Sequence, residues 1–257
     1  MLKVKFPAFK AQRYYKIHFQ YLLDIFKHTQ CDISFYDRED DQLIVFINGK
    51  EIEFNYWDDI SKYSENNILT FKFHCEGRNS KAIPFTPVSF YDWAGYTTLE
   101  SAIRYKAVGR ISYRQRAYGN AVERRKKVLE LLKQRCVNLS YVLLPQLDYW
   151  KDIGNCSVAV FVPGYSNNIL DRAQLQYMFL GCATISPHLP EQLPFNRNIW
   201  PGGHYIQCKD DYSDLIEKIE WCKDNKEKCK EIGKNAKELT QFTSTPHNLV
   251  NWIKANI

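Results

Sequence analysis

The pattern of hydrophobic residues differs between the first hundred residues and the rest of the chain. The first hundred residues hold short apolar runs, and the clearest are Gln42–Ile47 and Glu51–Tyr56, which flank Asn48-Gly49. Asn-Gly is the preferred two-residue turn of a β-hairpin, because both residues tolerate positive φ. We therefore predict a hairpin there and a compact α+β half overall. Its other predicted elements are a helix over residues 12–30 and strands over 31–36 and 68–73.

Beyond residue 100, short apolar runs alternate with stretches of helical period. Val158–Val162 and Ala183–Ser186 are continuous apolar runs of the buried-strand type. Between them, apolar residues recur at helical spacing from Leu170 to Leu180. Strands that alternate with helices predict a parallel sheet with helices on both faces. The other predicted elements are strands at 106–112, 141–144 and 205–208 and helices at 97–106, 116–135, 213–224 and 227–240.

Length and composition indicate an ordinary globular protein with one large or two small domains. The chain has 257 residues, of which 45% are hydrophobic and 25% charged. We place a domain break near residues 93–106 and predict domains at 1–100 and 101–257. The sequence shows neither a membrane span nor an apolar signal core at its beginning, and its eight cysteines include no Cys-x-x-Cys pair. We expect a reduced, cytoplasmic protein.

The charge balance favours a small anionic ligand. A net charge of +6 fits a nucleotide diphosphate and does not require nucleic acid. Basic residues are densest between Arg114 and Lys127. We interpret Arg124–Lys127 as the solvated face of a helix.

A glycine turn after an apolar strand is the main candidate for chemistry. Gly164, Tyr165, Ser166 and Asn167 follow the run 158–162 and precede the helix that begins near Leu170. Backbone N–H groups at a helix N-terminus favour phosphate. We expect Arg172, in the first turn, to form a bidentate pair with a diphosphate. The alternative is that Arg172 pairs with an acid on a neighbouring loop.

A second cationic segment precedes the basic helix. Gly109, Arg110 and Arg116 follow an apolar strand, and we expect the two arginines to meet the same diphosphate from the other side. His204 follows Gly202-Gly203, and we expect it to face the donor loop. A surface histidine at a strand end is the alternative for this residue.

These segments resemble one enzyme family. The stretch His204–Leu215 is similar to the strand and helix start found in the fungal capsule xylosyltransferase and the KDEL-type protein O-glucosyltransferases. Leu170–Pro187 resembles the arginine-bearing helix and following strand of that family, and Gly109-Arg110 with Arg116 resembles its diphosphate loop. The resemblance covers roughly residues 105–240, although Gln207 stands where the family has proline.

The resemblance implies an α/β, GT-B-like fold with two Rossmann-like halves. The N-terminal acceptor half would be reduced and α+β, while the parallel-sheet C-terminal half would hold the nucleotide-sugar. It implies a glycosyltransferase that moves a sugar from a nucleotide-diphosphate donor, most simply a UDP-sugar, to a carbohydrate or protein hydroxyl. A non-catalytic glycosyltransferase-like module that binds a carbohydrate or a partner is the alternative. A Rossmann-like methyltransferase is disfavoured because the sequence lacks a Gly-x-Gly loop after an early strand.

Transfer to a hydroxyl requires a base and a stabilised leaving group. For the base, our candidates are Asp92, which aromatic residues flank, and Asp37 at a predicted strand end; His74 and Glu76 are further options. The leaving diphosphate needs positive charge from arginines or helix N–H groups. The sequence contains no Asp-x-Asp motif, so we expect neither a metal nor another cofactor.

Overall fold

The structure is a computed structural model. It describes residues 1–8, 16–38, 42–56, 68–72, 82–85, 107–113, 121–136, 138–142, 144–164, 170, 172–189, 195 and 197–257; side chains at 16–18, 107–110, 146, 147 and 172 are excepted. The chain divides into two compact units. One comprises Met1–Asp92, Gln192–Arg197 and Phe242–Ile257, and the other comprises Trp93–Glu191 and Asn198–Gln241. The return of the C-terminal residues to the first unit was not anticipated from sequence. The predicted break at 93–106 lies outside the described residues.

The first unit contains a six-stranded mixed sheet. Its order is β2-β1-β3-β4-β5-β6, in which β3 is antiparallel to β1 and β4 and the other pairs are parallel. The elements are β1 Lys3–Ala8, α1 Lys16–Lys27, β2 Asp32–Asp37, β3 Ile44–Ile47, β4 Lys50–Asn55, β5 Leu69–Lys72 and β6 Ala82–Pro84.

The predicted hairpin is confirmed as β3 and β4. Asn48 and Gly49 have φ values of 50° and 85°, as a two-residue turn with two positive φ angles requires. β1 was missed, although Lys3, Val4, Lys5 and Phe6 alternate between exposed and buried.

The core of the first unit includes a helix from the end of the chain. Phe6 of β1 and Phe26 of α1 are fully buried in one cluster with Leu249 and Ile253. The last two belong to a C-terminal helix, Pro246–Asn256, which sequence analysis missed and which contacts α1. This segment therefore completes the first core rather than extending the second.

The second unit contains a five-stranded sheet in which all pairs are parallel. The order is β8-β7-β9-β10-β11, so the predicted parallel sheet is confirmed. Its elements are β7 Ala107–Ser112, α2 Val122–Arg135, β8 Leu139–Ser140, α3 Gln146–Gly154, β9 Cys156–Val160, α4 Arg172–Phe179, β10 Ala183–Ser186, β11 Ile206–Gln207, α5 Leu215–Asp224 and α6 Lys226–Ser244, with Pro246–Asn256 following as α7.

Helices α2, α5 and α6 cover one face of this sheet. Val128, Leu215 and Ile232 from these helices pack in one cluster with Val160 and Ile185. α3 contacts β9 and α4 contacts β10, and neither helix contributes to that cluster. A bilayer-spanning helix is absent from the described ranges, where each helix is too short or too polar.

One predicted strand of this unit is wrong. We expected residues 141–144 to form a strand, but β8 pairs with β7 only through Leu139 and Ser140. Ser140 lies opposite Ser112, the last residue of β7, so Tyr141 and Val142 lie beyond the end of the partner strand. Both are exposed. An apolar run without a neighbouring strand does not form a ladder, and helix α3 follows instead.

Candidate functional site

The strand order of the second unit creates a crevice between β7 and β9. β8, the next strand after β7, lies on one side of β7, whereas β10, the next strand after β9, lies on the opposite side of the pair. The connections therefore diverge at these two neighbouring strands. In open parallel sheets, ligands bind beyond the carboxyl ends of the strands at such a point.

The predicted glycine turn lies at this crevice. Gly164 follows the carboxyl end of β9, and Arg172 is the first residue of α4. Tyr165, Ser166 and Asn167 fall outside the described residues, as does the Arg172 side chain. Strand, glycine and helix thus occur in the order that a phosphate-binding turn requires.

The strand predicted at 106–112 is confirmed as β7, and it includes two residues that we expected to follow an apolar strand. Gly109 and Arg110 lie inside β7 rather than in a turn after it. Ala107 pairs with Cys156 while Ile111 pairs with Val158, so the strand is irregular across these residues. Arg116 lies outside the described residues. The roles of all three in diphosphate binding stay predictions.

His204 lies at the other end of its strand. It precedes β11 and therefore sits on the amino-terminal side of that strand, whereas Gly164 follows the carboxyl end of β9. Its Nδ1 accepts a hydrogen bond from the Trp200 backbone N–H at 3.4 Å, and the two rings meet edge to face with centroids 4.0 Å apart. Burial lowers the pKa of His204, which is 5% exposed. His204 is therefore buried, so the alternative of a surface histidine is wrong, and its role at the donor loop stays a prediction.

Asp37 is the one candidate base that lies within the described residues. Asp37 is the last residue of β2 in the first unit and is exposed. Asp92, His74 and Glu76 lie outside the described residues. Within the described ranges, no three His, Cys, Asp or Glu side chains come together as metal ligands.

Sequence analysis missed a pair of arginines at the crevice. Arg125 is 4% exposed and donates from Nε and Nη2 to the Val162 carbonyl oxygen, at 3.2 and 3.0 Å. Arg124 Nη2 donates to the Pro163 carbonyl oxygen at 2.8 Å. Both guanidinium groups therefore hold the segment immediately before Gly164.

The solvated-face interpretation of Arg124–Lys127 is consequently wrong for its first two residues, while Lys126 and Lys127 are exposed. A signal was present in the sequence. Arg125, Val128 and Leu132 share the buried face of α2. Charge alone suggested solvent, but this spacing places Arg125 among the apolar positions.

Two buried tyrosines complete the support of this segment. The Tyr212 hydroxyl donates to the Phe161 carbonyl oxygen at 3.1 Å, and the Tyr113 hydroxyl donates to the Arg125 carbonyl oxygen at 2.9 Å. Burial raises the pKa of both hydroxyls well above the ordinary value, so they remain donors at physiological pH. Carbonyls at 161, 162 and 163 are thus all bound from outside the β9 strand.

Ser112 places a polar atom at the end of β7. The side chain is fully buried, and its Oγ has no hydrogen-bond partner within the described residues. A hydroxyl in this state is an available donor beside the crevice.

Comparisons with known proteins were made on sequence and on structure. No family model matches the chain. Over 85 residues the chain is 35% identical to uncharacterized protein 179R of Invertebrate iridescent virus 6, and over 77 residues it is 31% identical to protein O-glucosyltransferase 3 of Homo sapiens. These matches cover 30% and 28% of this chain but only 7% and 15% of the two relatives.

A solved structure shares the overall architecture. HepE from Anabaena, crystallised in complex with UDP and glucose, superposes with a TM-score of 0.51 at 10% identity, over 79% of this chain and 70% of that chain. The fold is GT-B-like. The predicted fold class is therefore confirmed as mixed α/β with a parallel second sheet.

Proposed function

We propose that this chain is a glycosyltransferase that moves a sugar from a nucleotide-diphosphate donor to a carbohydrate or protein hydroxyl. UDP-sugars are the donors we favour. The observation that carries the proposal is the strand β9, Gly164 and α4 arrangement at the divergence point of a GT-B-like fold. Two similarities support it: HepE binds UDP and glucose, and part of the chain is similar to a human protein O-glucosyltransferase.

The crevice would assist the step in which the nucleotide diphosphate leaves the sugar. The acceptor oxygen attacks the anomeric carbon while the bond from that carbon to the diphosphate oxygen breaks. The N–H groups at the start of α4, together with Arg172, Arg110 and Arg116, would neutralise the charge that develops on the diphosphate. We propose that no metal takes part and that Asp92 or Asp37 accepts the acceptor proton.

Arg124 and Arg125 would act through the turn. Their guanidinium groups already bind the carbonyls of Pro163 and Val162, so we assign them to positioning Gly164. Their charge also makes the crevice more positive, which favours an anionic ligand.

Binding of UDP tests the site. Calorimetry on Arg172→Ala should show UDP affinity weakened by about 1.5–3 kcal/mol, the scale of a hydrogen bond to a charged group. Arg135→Ala is the matched control, because Arg135 is exposed in the last turn of α2. Equal affinities in the wild type and Arg172→Ala would make Arg172 structural, and no UDP binding by the wild type would reject the nucleotide-sugar proposal.

Donor hydrolysis separates an enzyme from a binding module. A transferase should slowly release UDP from UDP-glucose, and Asp92→Asn or Asp37→Asn should abolish that release while UDP still binds. UDP binding without turnover over a screen of UDP-, GDP- and dTDP-sugars would favour the non-catalytic module instead.

A further inference from the structure

A cavity of about 340 Å³ lies away from the Gly164 crevice. Ser157 and Val158 in the first half of β9 line it, together with Gly181 just before β10. The rest of its described wall comes from helices α5 and α6 and from Ile111. Because these strand residues precede the carboxyl ends, the cavity is separate from the proposed donor site.

Two thiols face this cavity and contact each other. Cys222 lies near the end of α5 and Cys229 near the beginning of α6, and both line the cavity. The Cys229 Sγ lies 3.8 Å from the Cys222 carbonyl oxygen, so the two residues are immediate neighbours. Their exposed fractions are 6% and 5%, so reagents would reach them through the cavity.

The break between the two helices causes this juxtaposition. α5 ends at Asp224 and α6 begins at Lys226. The Cys229 N–H donates to the Asn225 carbonyl oxygen at 3.0 Å, which starts the hydrogen-bond ladder of α6. The chain thus turns at Asn225, and residues seven positions apart come to share one wall.

The surroundings of the pair favour thiolate chemistry. Lys223, Lys226 and Lys230 line the same cavity, and Cys229 lies close to the N-terminus of α6. Lys223 and Lys230 form ion pairs with Glu220 and Glu227 at 2.7 Å, which offset their charge. Cationic side chains and helix N-termini stabilise thiolates. Interaction with the neighbouring Cys222 thiol lowers the pKa of Cys229, whereas interaction with Cys229 and burial raise the pKa of Cys222. Cys229 is therefore the attacking sulfur and Cys222 the resolving one.

We propose that Cys222 and Cys229 form a dithiol site that low-molecular-weight disulfides such as glutathione disulfide oxidise to an intramolecular disulfide. The Cys229 thiolate attacks one sulfur of the oxidant, which releases one glutathione thiolate and leaves a mixed disulfide. Cys222 then loses its proton and attacks the Cys229 sulfur, which releases the second glutathione. Two protein thiols are oxidised and one glutathione disulfide is reduced to two glutathiones. The oxidant is anionic, and Lys226, which forms no ion pair with another described residue, favours its approach.

The chain carries its own matched control. Cys182 Sγ lies 3.4 Å from the Cys156 carbonyl oxygen, so these two cysteines are neighbours through the same kind of contact as the first pair. Both residues are fully buried, and neither is among the described residues that line the cavity. Proximity alone predicts that both pairs oxidise, whereas access through the cavity predicts that only Cys222 and Cys229 do.

Disulfide mapping on the native full chain tests the proposal. The reduced protein is incubated with glutathione disulfide, alkylated under denaturing conditions and cleaved after glutamate, which separates Cys222 from Cys229 at Glu227. We expect linked peptides that contain Cys222 and Cys229 and alkylated Cys156 and Cys182. Linkage of another pair, or full alkylation of Cys222 and Cys229, would overturn the proposal.

Phenylarsine oxide gives an independent readout, because trivalent arsenic bridges two neighbouring thiols and releases water. We expect the native wild type to bind one equivalent, Cys222→Ser and Cys229→Ser to bind none, and Cys156→Ser to behave as the wild type. Loss of uptake in Cys156→Ser alone, or uptake by both cavity variants, would contradict the assignment. Circular dichroism shows whether each serine variant folds. If one does not, arsenic uptake and disulfide mapping on the wild type decide whether Cys222 and Cys229 form the site.

Discussion

At the scale of single residues, buried polar groups of the second unit hold backbone carbonyls in place. Arg125 illustrates the principle, since its guanidinium group is buried yet donates twice to the Val162 oxygen. A buried cation persists only where such bonds compensate for lost hydration. The segment before Gly164 is consequently held by side chains in addition to the backbone hydrogen bond from the Phe161 N–H to the Ile185 carbonyl oxygen.

Replacing Arg125 tests this support. Arg125→Met keeps much of the apolar stem but leaves the Val162 oxygen without two donors, so we expect the free energy of unfolding to fall by about 1–3 kcal/mol. Urea denaturation measures the change. Lys127→Ala, on the exposed side of α2, should change stability by less than about 0.5 kcal/mol. Equal effects of the two substitutions would show that Arg125 has no special role.

His204 predicts a pH dependence. Burial lowers its pKa below the ordinary 6.5, so the unfolded chain binds a proton more readily than the native protein. The stability that the neutral ring provides is therefore present above that pH and is lost as the pH falls below it. Urea denaturation between about pH 7 and pH 5 should show that the free energy of unfolding falls less steeply for His204→Asn than for the wild type. His247→Asn, at an exposed position of α7, should keep the wild-type slope.

At the scale of elements, turns decide where strands and helices meet. The β3–β4 hairpin depends on Gly49, whose φ of 85° is unfavourable for residues with a Cβ. An added Cβ would meet no atom within 4 Å, so only the backbone conformation opposes substitution there.

Substitution of Gly49 should therefore follow backbone preference rather than size. We expect Gly49→Ala to destabilise the protein by about 1–2 kcal/mol, because alanine disfavours left-handed φ. Gly49→Asn should cost less than Gly49→Ala despite its larger side chain, since asparagine visits this region more readily. Thermal denaturation measures both, and a larger loss for asparagine would show that contacts matter there instead.

The C-terminal helix is an element whose role sequence did not show. Leu249 of α7 is fully buried in the core of the first unit. We expect Leu249→Ala to lower stability by about 2–5 kcal/mol, the cost of a cavity in a packed core. Hydrogen exchange should report the loss in β1 and α1 of that unit. Lys254→Ala, on the exposed side of α7, is the control. Loss confined to the second unit would contradict the assignment.

At the scale of the whole molecule, buried tyrosines occur in both units. Tyr21 and Tyr56 lie in the first unit, and Tyr113, Tyr205 and Tyr212 lie in the second. Burial raises the pKa of each of these hydroxyls above the ordinary value of 10.0. Both units therefore depend on tyrosines that remain protonated.

This distribution predicts sensitivity to alkali. The unfolded chain releases these protons at a lower pH than the native protein does. The free energy of unfolding therefore keeps its full value below about pH 10. Above that pH it falls by about 1.4 kcal/mol per pH unit for each tyrosine. Tyr212→Phe should reduce the slope of stability against pH above that point, measured by urea denaturation. Tyr141→Phe, at an exposed position, should leave the slope unchanged. An unchanged slope in Tyr212→Phe would refute the prediction.

The local pattern of the sequence determined much of the fold. Short apolar runs on either side of an Asn-Gly turn specify β3 and β4, while continuous apolar runs and helical spacing specify β9, α4 and β10. The same local order identified Gly164 as the end of a strand and Arg172 as the start of a helix. These features depend on neighbours in the chain, so sequence alone is sufficient for them.

Only the tertiary structure decided which segments meet. Phe242–Ile257 joins the first unit, and Arg125 binds Val162, because packing partners far apart in sequence leave no periodic signal. The burial of His204 is likewise a feature of the folded chain, whereas its place before the strand at 205–208 was already predicted. Sequence determined the hairpin, most elements of the second unit and the charge available to the site, but it did not reveal β1 or α7. The placement of that charge depended on strand order and long-range hydrogen bonds, which exist only once the chain has folded.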